Sequence, residues 1–116
     1  MSRRRPDAPP PAPLVAWTQR ALADLREIDE YIGADDPVAA ERWVARLIAK
    51  AEAAARMPRA GRVVPERARD DIREVRLRSY RIVYRAHETG IVVLTVFEGH
   101  RLFPSDPDGS PEGESA

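Results

Sequence analysis

The strongest constraint on this 116-residue chain is a change in the period of its hydrophobic residues. Between residues 18 and 56 the apolar side chains recur every three or four positions, as they do on one face of an α-helix. Between residues 73 and 97 they alternate or run without interruption, as they do in β-strands. A chain that changes period in this way forms helices first and a sheet afterwards, which predicts an α+β fold.

Two helices are predicted in the first half, joined by a short link into an αα-hairpin. Thr18 can cap the first helix through its hydroxyl group, and Gly33 is placed to end it as a left-handed cap. Asp36 and Pro37 are typical of the cap and the first position of a second helix, which the Met–Pro pair at 57–58 ends. The two apolar faces consist of Ala21, Leu25, Ile28 and Ile32, and of Ala40, Trp43, Leu47, Ala51 and Ala54.

Four strands are predicted around this hairpin. A short apolar run at 14–17 precedes the helices, and residues 73–77, 80–86 and 91–97 follow them as three strands with short links, which is typical of an antiparallel meander. The last strand is apolar at every position but one, which predicts burial on both faces. Residues 59–69 show no period and are predicted to form a loop.

The prolines delimit one domain. Eight of the 11 lie in residues 1–13 and 104–116, which also lack the apolar residues needed to form a core. Such segments cannot bury enough surface to offset their chain entropy, so both are predicted to be disordered tails. The folded domain then spans residues 14–103.

Composition excludes several function classes. There is no cysteine, which excludes disulfide scaffolds, thiol nucleophiles and thiolate metal sites, and the formal net charge of zero argues against a generic nucleic-acid coat protein. The longest apolar run, residues 91–97, is too short to span a bilayer, and no signal peptide is recognisable, so a cytoplasmic location is expected. No glycine-rich phosphate loop is present, and Glu98 with His100 would make a poor metal site, so no cofactor or metal is expected.

Charge is unevenly distributed along the domain. Residues 18–55 carry 5 basic and 8 acidic side chains, whereas residues 56–85 carry 10 arginines against 4 acidic side chains. The arginines either solvate the sheet and pair with the helices, or form a basic surface for an acidic partner. Metal-free RNA cleavage also remains open, because it needs only a base and cations to stabilise the phosphorane. The candidate bases are His100, Glu98 and Tyr84, and the candidate cations are Arg62, Arg73, Arg81 and Arg101.

A series of short motifs follows a specific order along residues 14–103. The motifs are Val15-Ala16-Trp17-Thr18, Asp29-Glu30-Tyr31-Ile32, Asp36-Pro37, Pro58-Arg59-Ala60-Gly61-Arg62, Ile72-Arg73-Glu74-Val75, Tyr80-Arg81-Ile82-Val83-Tyr84-Arg85 and Gly99-His100-Arg101. Their order and spacing resemble the RelE/ParE superfamily of type II toxins, in its plasmid stabilisation group. The resemblance implies a fold that agrees with the element order above. It also implies a cognate antitoxin, whose C-terminal segment folds as it wraps the toxin, so that the two proteins form a hetero-oligomer.

The superfamily has two branches with different targets. RelE-like members cleave mRNA on the ribosome, and Arg81 and Arg101 match arginine positions of that branch, with His100 as a further catalytic candidate. ParE-like members inhibit DNA gyrase by binding it. The ribonuclease branch has lysines on the first meander strand, where this chain has Glu74, and a tyrosine beyond the last strand, where this chain has Phe103. This chain therefore looks more like ParE.

Three hypotheses follow from the resemblance. The preferred one is a ParE-like gyrase inhibitor without catalytic residues and without direct sequence-specific DNA binding. The second is a RelE-like endoribonuclease, and the third is a decayed toxin that acts only as an antitoxin-binding co-repressor. The candidate residues for contact with the target or the antitoxin are Arg62, Arg73, Arg76, Arg81, Arg85 and Arg101.

Overall fold

The computed structural model describes residues 13–99. The predicted C-terminal tail, residues 1–12 and the candidate residues His100 and Arg101 lie outside this range. No helix within it is both long enough and apolar enough to cross a membrane. In chain order the elements are β1 (Leu14–Trp17), α1 (Gln19–Gly33), α2 (Pro37–Arg56), a 3-10 turn (Pro58–Ala60), β2 (Arg62–Val63), β3 (Ile72–Leu77), β4 (Tyr80–His87) and β5 (Gly90–Glu98).

The strands form one mixed sheet in the order β1-β5-β4-β3-β2. The predicted meander is confirmed, since β3, β4 and β5 pair antiparallel in sequence order. The N-terminal strand β1 runs parallel to β5 at one edge of the sheet, and the helical hairpin carries the chain from there to β2 at the opposite edge. The predicted α+β fold with a strand, a helical hairpin and a meander is therefore confirmed.

Both helices pack on one face of the sheet. Ala21, Leu25 and Leu47 meet Ile82 and Tyr84 of β4 in the larger of two buried clusters. The cap residues predicted from sequence are confirmed. The Thr18 hydroxyl accepts a hydrogen bond from the amide of Ala21 at 3.0 Å, and the Asp36 carboxylate accepts one from the amide of Ala39 at 3.1 Å.

The opposite face of the sheet, here called the second face, is covered by residues 64–71, which we call the strap. Val64 from the start of the strap packs with Ile72, Val83, Leu94 and Phe97 in a separate buried cluster. This covering explains why β5 is buried on both sides, as its composition predicted. It also closes over part of β4.

Two local predictions are wrong. Gly33 is not a left-handed cap, because it lies inside α1 and the cap residue Ala34 keeps right-handed helical angles. Residues 59–69 are not a simple loop, because Arg62 and Val63 form β2, which pairs antiparallel with β3. Two residues are too few to show a strand period in the sequence.

A β-bulge in β5 ties the sheet to α1. The register shifts between Val83 and Tyr84, and the carbonyl of the extra residue, Leu94, accepts a hydrogen bond from the Thr18 hydroxyl at 2.9 Å. One step further along β5, the Asp24 carboxylate of α1 accepts hydrogen bonds from the Thr95 hydroxyl at 2.6 Å and from the Val96 amide at 2.9 Å. Side chains of α1 thus complete the hydrogen bonding of β5 beyond the end of β1.

Candidate functional site

Five charged side chains come together on the second face beside the strap. We call them the arginine–carboxylate cluster: Arg62 of β2, Glu66 of the strap, Glu74 and Arg76 of β3, and Arg81 of β4. The sheet register explains the meeting, since Arg62 pairs opposite Glu74 and Arg76 pairs opposite Arg81, and directly opposed residues share a face. The strap then brings Glu66 over Arg81.

Glu74 and Arg81 form the buried centre of this cluster. Nε of Arg81 donates to Oε1 of Glu74 at 2.5 Å, and their side chains are 6% and 1% exposed. The guanidinium of Arg81 also donates two hydrogen bonds to Glu66, both at 3.1 Å, and lies 5.2 Å from the ring centre of Phe97. Arg81 is thus enclosed by two carboxylates and an aromatic ring.

The ionisation of the two partners follows from these contacts. The hydrogen bonds from Arg81 lower the pKa of Glu66 below its ordinary 4.5, against a smaller opposing effect of burial. Burial lowers the pKa of Arg81, but the combined hydrogen bonds and charges of Glu66 and Glu74 outweigh it and raise that pKa. Both groups therefore stay charged at neutral pH.

Arg62 and Arg76 occupy the outer rim of the cluster. Nε of Arg62 lies 3.5 Å from Oε2 of Glu74, and Nη2 of Arg76 lies 3.8 Å from the same oxygen. Their side chains are 56% and 48% exposed. The carboxylate of Glu74, one of the differences from the ribonuclease branch, is buried beneath these two exposed arginines.

Arg73 has a structural role, because its guanidinium group is hydrogen-bonded within the fold. Its guanidinium donates to the carbonyls of Arg59 at 2.7 Å and of Gly61 at 2.9 Å, and to both the carbonyl and the carboxylate of Asp70. It thereby ties the segment before β2 to Asp70 near the end of the strap, and its side chain is only 14% exposed. Sequence alternation gave no sign of this role.

Tyr84 is also engaged inside the fold. It is fully buried, and its hydroxyl donates to the carbonyl of Pro58 at 2.8 Å. Burial raises the pKa of this phenol, so it is poorly suited to act as a base. A Cβ atom added at Gly61 would collide with the same hydroxyl, which explains the glycine there.

The predicted contact arginines among the described residues therefore differ in how accessible their guanidinium groups are. Arg62 and Arg76 present their guanidinium groups at the surface, and Arg85 is partly buried on β4. Arg73 and Arg81 are held in internal networks, so a contact through Arg81 would require Glu66 to move. Glu66 was missed by the sequence reasoning, because nothing in an aperiodic segment signals which strand its side chain will reach.

A groove of about 380 Å³ lies between α1 and the end of β5. Its lining is acidic and aromatic, and includes Asp24, Glu27, Tyr31, Tyr80 and Glu98. Tyr31 is one of the most exposed large side chains among residues 13–99, at 80%. Within the same residues, no group of three or more histidine and acidic side chains is placed to hold a metal ion.

Comparison with known proteins agrees with this fold. Residues 15–103 match the family model described as the ParE toxin of the type II toxin-antitoxin system parDE. The chain is 40% identical over 106 residues to Y4kP of Sinorhizobium fredii, which is described as a candidate toxin, and the match covers 90% of this chain and 97% of that protein. It is 45% identical over 56 residues to toxin RelE2 of Caulobacter vibrioides, covering 48% of this chain and 64% of that protein.

A solved structure supports the same assignment at the level of the fold. A chain of the chromosomal ParDE TA system from P. aeruginosa superposes with a TM-score of 0.61 at 21% identity, over 75% of this chain and 96% of that chain. The chain belongs to the ParE toxin family of type II toxin-antitoxin systems.

Proposed function

We propose that this toxin inhibits bacterial growth by binding DNA gyrase, without a catalytic residue of its own, and that a cognate antitoxin neutralises it in a cytoplasmic hetero-oligomer. The observation that carries the proposal is the enclosure of Arg81 by Glu74 and Glu66. Arg81 matches an arginine of the ribonuclease branch. Here its guanidinium group already donates hydrogen bonds to two carboxylates of the same protein, those of Glu74 and Glu66.

RNA cleavage without a metal needs a base near the attacking hydroxyl and cations free to meet the developing phosphorane charge. Tyr84 is buried and donates to a backbone carbonyl, Arg73 is held by Gly61 and Asp70, and Arg81 is held by two carboxylates. Three of the seven groups that the sequence offered for this chemistry are therefore engaged elsewhere. This favours a toxin that acts by binding.

An antitoxin partner is supported by the family and by the uneven distribution of charge over the surface of the molecule. The exposed rim of the arginine–carboxylate cluster is basic, whereas the groove beside α1 is acidic and aromatic. Coupled folding of a partner segment on a small domain buries further apolar surface and stabilises both proteins. A ribosome-dependent endonuclease remains the competing function, because one relative bears the name RelE2.

The experiment is to induce this chain alone in bacteria and to follow pulse-labelled thymidine and methionine during the first minutes. We expect DNA synthesis to stop first, with DNA-damage signalling. Early loss of protein synthesis, with cut mRNA on ribosomes, would instead establish the ribonuclease. Unaffected growth would leave only the co-repressor hypothesis.

Two controls make the result specific. Co-expression of the gene next to this one, where type II antitoxins are encoded, is expected to restore growth if that gene is the antitoxin. The variant Leu47→Asp places a charge in the centre of the core and should abolish both folding and growth inhibition, which shows that the folded chain is the active species.

A further inference from the structure

The two exposed arginines of the cluster are neighbours, because both approach one buried oxygen. Oε2 of Glu74 lies 3.5 Å from Arg62 and 3.8 Å from Arg76, while Glu74 itself is 1% exposed. Neither distance is that of a hydrogen bond, and this oxygen accepts none within the described part of the chain. Glu74 therefore holds the two guanidinium groups near each other by charge, without occupying their donors.

The cluster also keeps an excess of positive charge. Its three arginines face two carboxylates, which leaves one net positive charge, and Arg81 takes both Glu66 and the first oxygen of Glu74. The excess consequently lies on the rim, on the two side chains that are about half exposed. Arginine donors are arranged as a planar fork that matches the two oxygens of a carboxylate.

We propose that Arg62 and Arg76 form an anion site that receives one carboxylate side chain of a protein partner, with Glu74 as the positioning residue beneath them. The inference rests on the proposed function in so far as the antitoxin is that partner. A single carboxylate matches a site with one excess charge. A nucleic acid presents a row of phosphates and requires an extended basic footprint, which the carboxylates of Glu66 and Glu74 interrupt.

The test is a titration of the isotope-labelled full chain with an acetylated hexaglutamate peptide, followed by NMR of the arginine Nε–Hε signals. We expect the largest saturable shifts at Arg62 and Arg76. Loss of a charge-assisted hydrogen bond should weaken peptide binding about tenfold in Arg62→Ala and in Arg76→Ala. Because the two residues form one site, the double variant should lose less than the product of the two effects.

Two further variants separate a built site from general attraction. Arg56→Ala removes an exposed arginine at the end of α2, outside the cluster, and should change peptide affinity less than about twofold. Glu74→Gln makes the chain more positive, so general attraction would strengthen binding. If Glu74 instead positions the two arginines, its loss should weaken peptide binding. The direction of the change in peptide affinity therefore distinguishes a built site from general attraction.

The results that would overturn the site are shifts spread evenly over all exposed arginines, tighter peptide binding by Glu74→Gln, or tighter binding of a hexathymidylate oligonucleotide than of the peptide. None of these affects growth inhibition. Conversely, a chain that does not inhibit growth can still show the peptide site, so failure of this inference and failure of the proposed function are distinguishable.

Discussion

Replacing Arg81 by methionine tests whether the centre of the arginine–carboxylate cluster is structural. The substitution keeps a long side chain but removes the charge that lies 2.5 Å from Glu74. Glu74 is then left buried, with its nearest cations, Arg62 and Arg76, at 3.5 and 3.8 Å from its second oxygen. Glu66 is 40% exposed and returns to water at little cost.

The expected magnitude follows from this asymmetry. Removing one partner of a buried ion pair costs about 3–5 kcal/mol, because the remaining charge is uncompensated. The two rim arginines relieve part of the charge on Glu74, so we expect a loss at the lower end, about 3 kcal/mol. For a domain of this size, that corresponds to a decrease of about 12 °C or more in Tm.

The matched control is the double variant Glu74→Leu with Arg81→Met. Replacing a whole buried ion pair by apolar side chains of similar volume is often neutral, so we expect the double variant to be within about 1 kcal/mol of the parent. Both are measured by equilibrium urea unfolding, using the fluorescence of Trp17 and Trp43 in the main core. If Arg81 has no catalytic role, the double variant also keeps its growth inhibition.

Two results would refute this reasoning. A loss of less than about 1 kcal/mol in Arg81→Met would mean that water or other cations compensate Glu74 fully. A double variant as unstable as the single one would mean that the two side chains do not act as a pair.

Three further predictions concern stability. Asp24→Ala should cost about 1–3 kcal/mol in urea unfolding, because it leaves the buried Thr95 hydroxyl without its acceptor. Leu47→Ala should cost about 2–5 kcal/mol in the same assay, since Leu47 is fully buried in the main core. The hydrogen bonds from Arg81 lower the pKa of Glu66, so the stability they contribute is complete above the ordinary value of 4.5 and is lost as the pH falls through the lowered one. The stability difference between the parent and Glu66→Gln should therefore be constant near neutral pH and shrink in acid; a difference that grows in acid would show the opposite sign.

The helices and the meander were predictable because their signals are local. Thr18 and Asp36 occupy cap positions that their side chains favour in any sequence, and the apolar spacing of the helices and strands repeats over several turns or residues. Gly33 shows the limit of such local rules. A glycine near a helix end is permitted a left-handed conformation, but here Gly33 is the last helical residue of α1 and the cap residue is Ala34, in a right-handed conformation.

The candidate site was predictable only in part, because its residues meet through long-range contacts. Alternation in β4 correctly placed Arg81 and Tyr84 on opposite faces. It gave no sign that the strap covers the face of Arg81 and supplies Glu66. Burial of an arginine depends on which distant segment packs over it. A segment without a hydrophobic period does not indicate in its sequence which part of the sheet it will cover.

The most direct measurement for the proposed function combines purified gyrase, supercoiled plasmid and this chain in a DNA cleavage assay. We predict that the chain inhibits supercoiling and accumulates cut plasmid still bound to gyrase, and that the Glu74→Leu/Arg81→Met variant does the same. Unchanged gyrase activity, together with cleavage of mRNA on purified ribosomes that disappears in that variant, would contradict the proposal and assign Arg81 to catalysis.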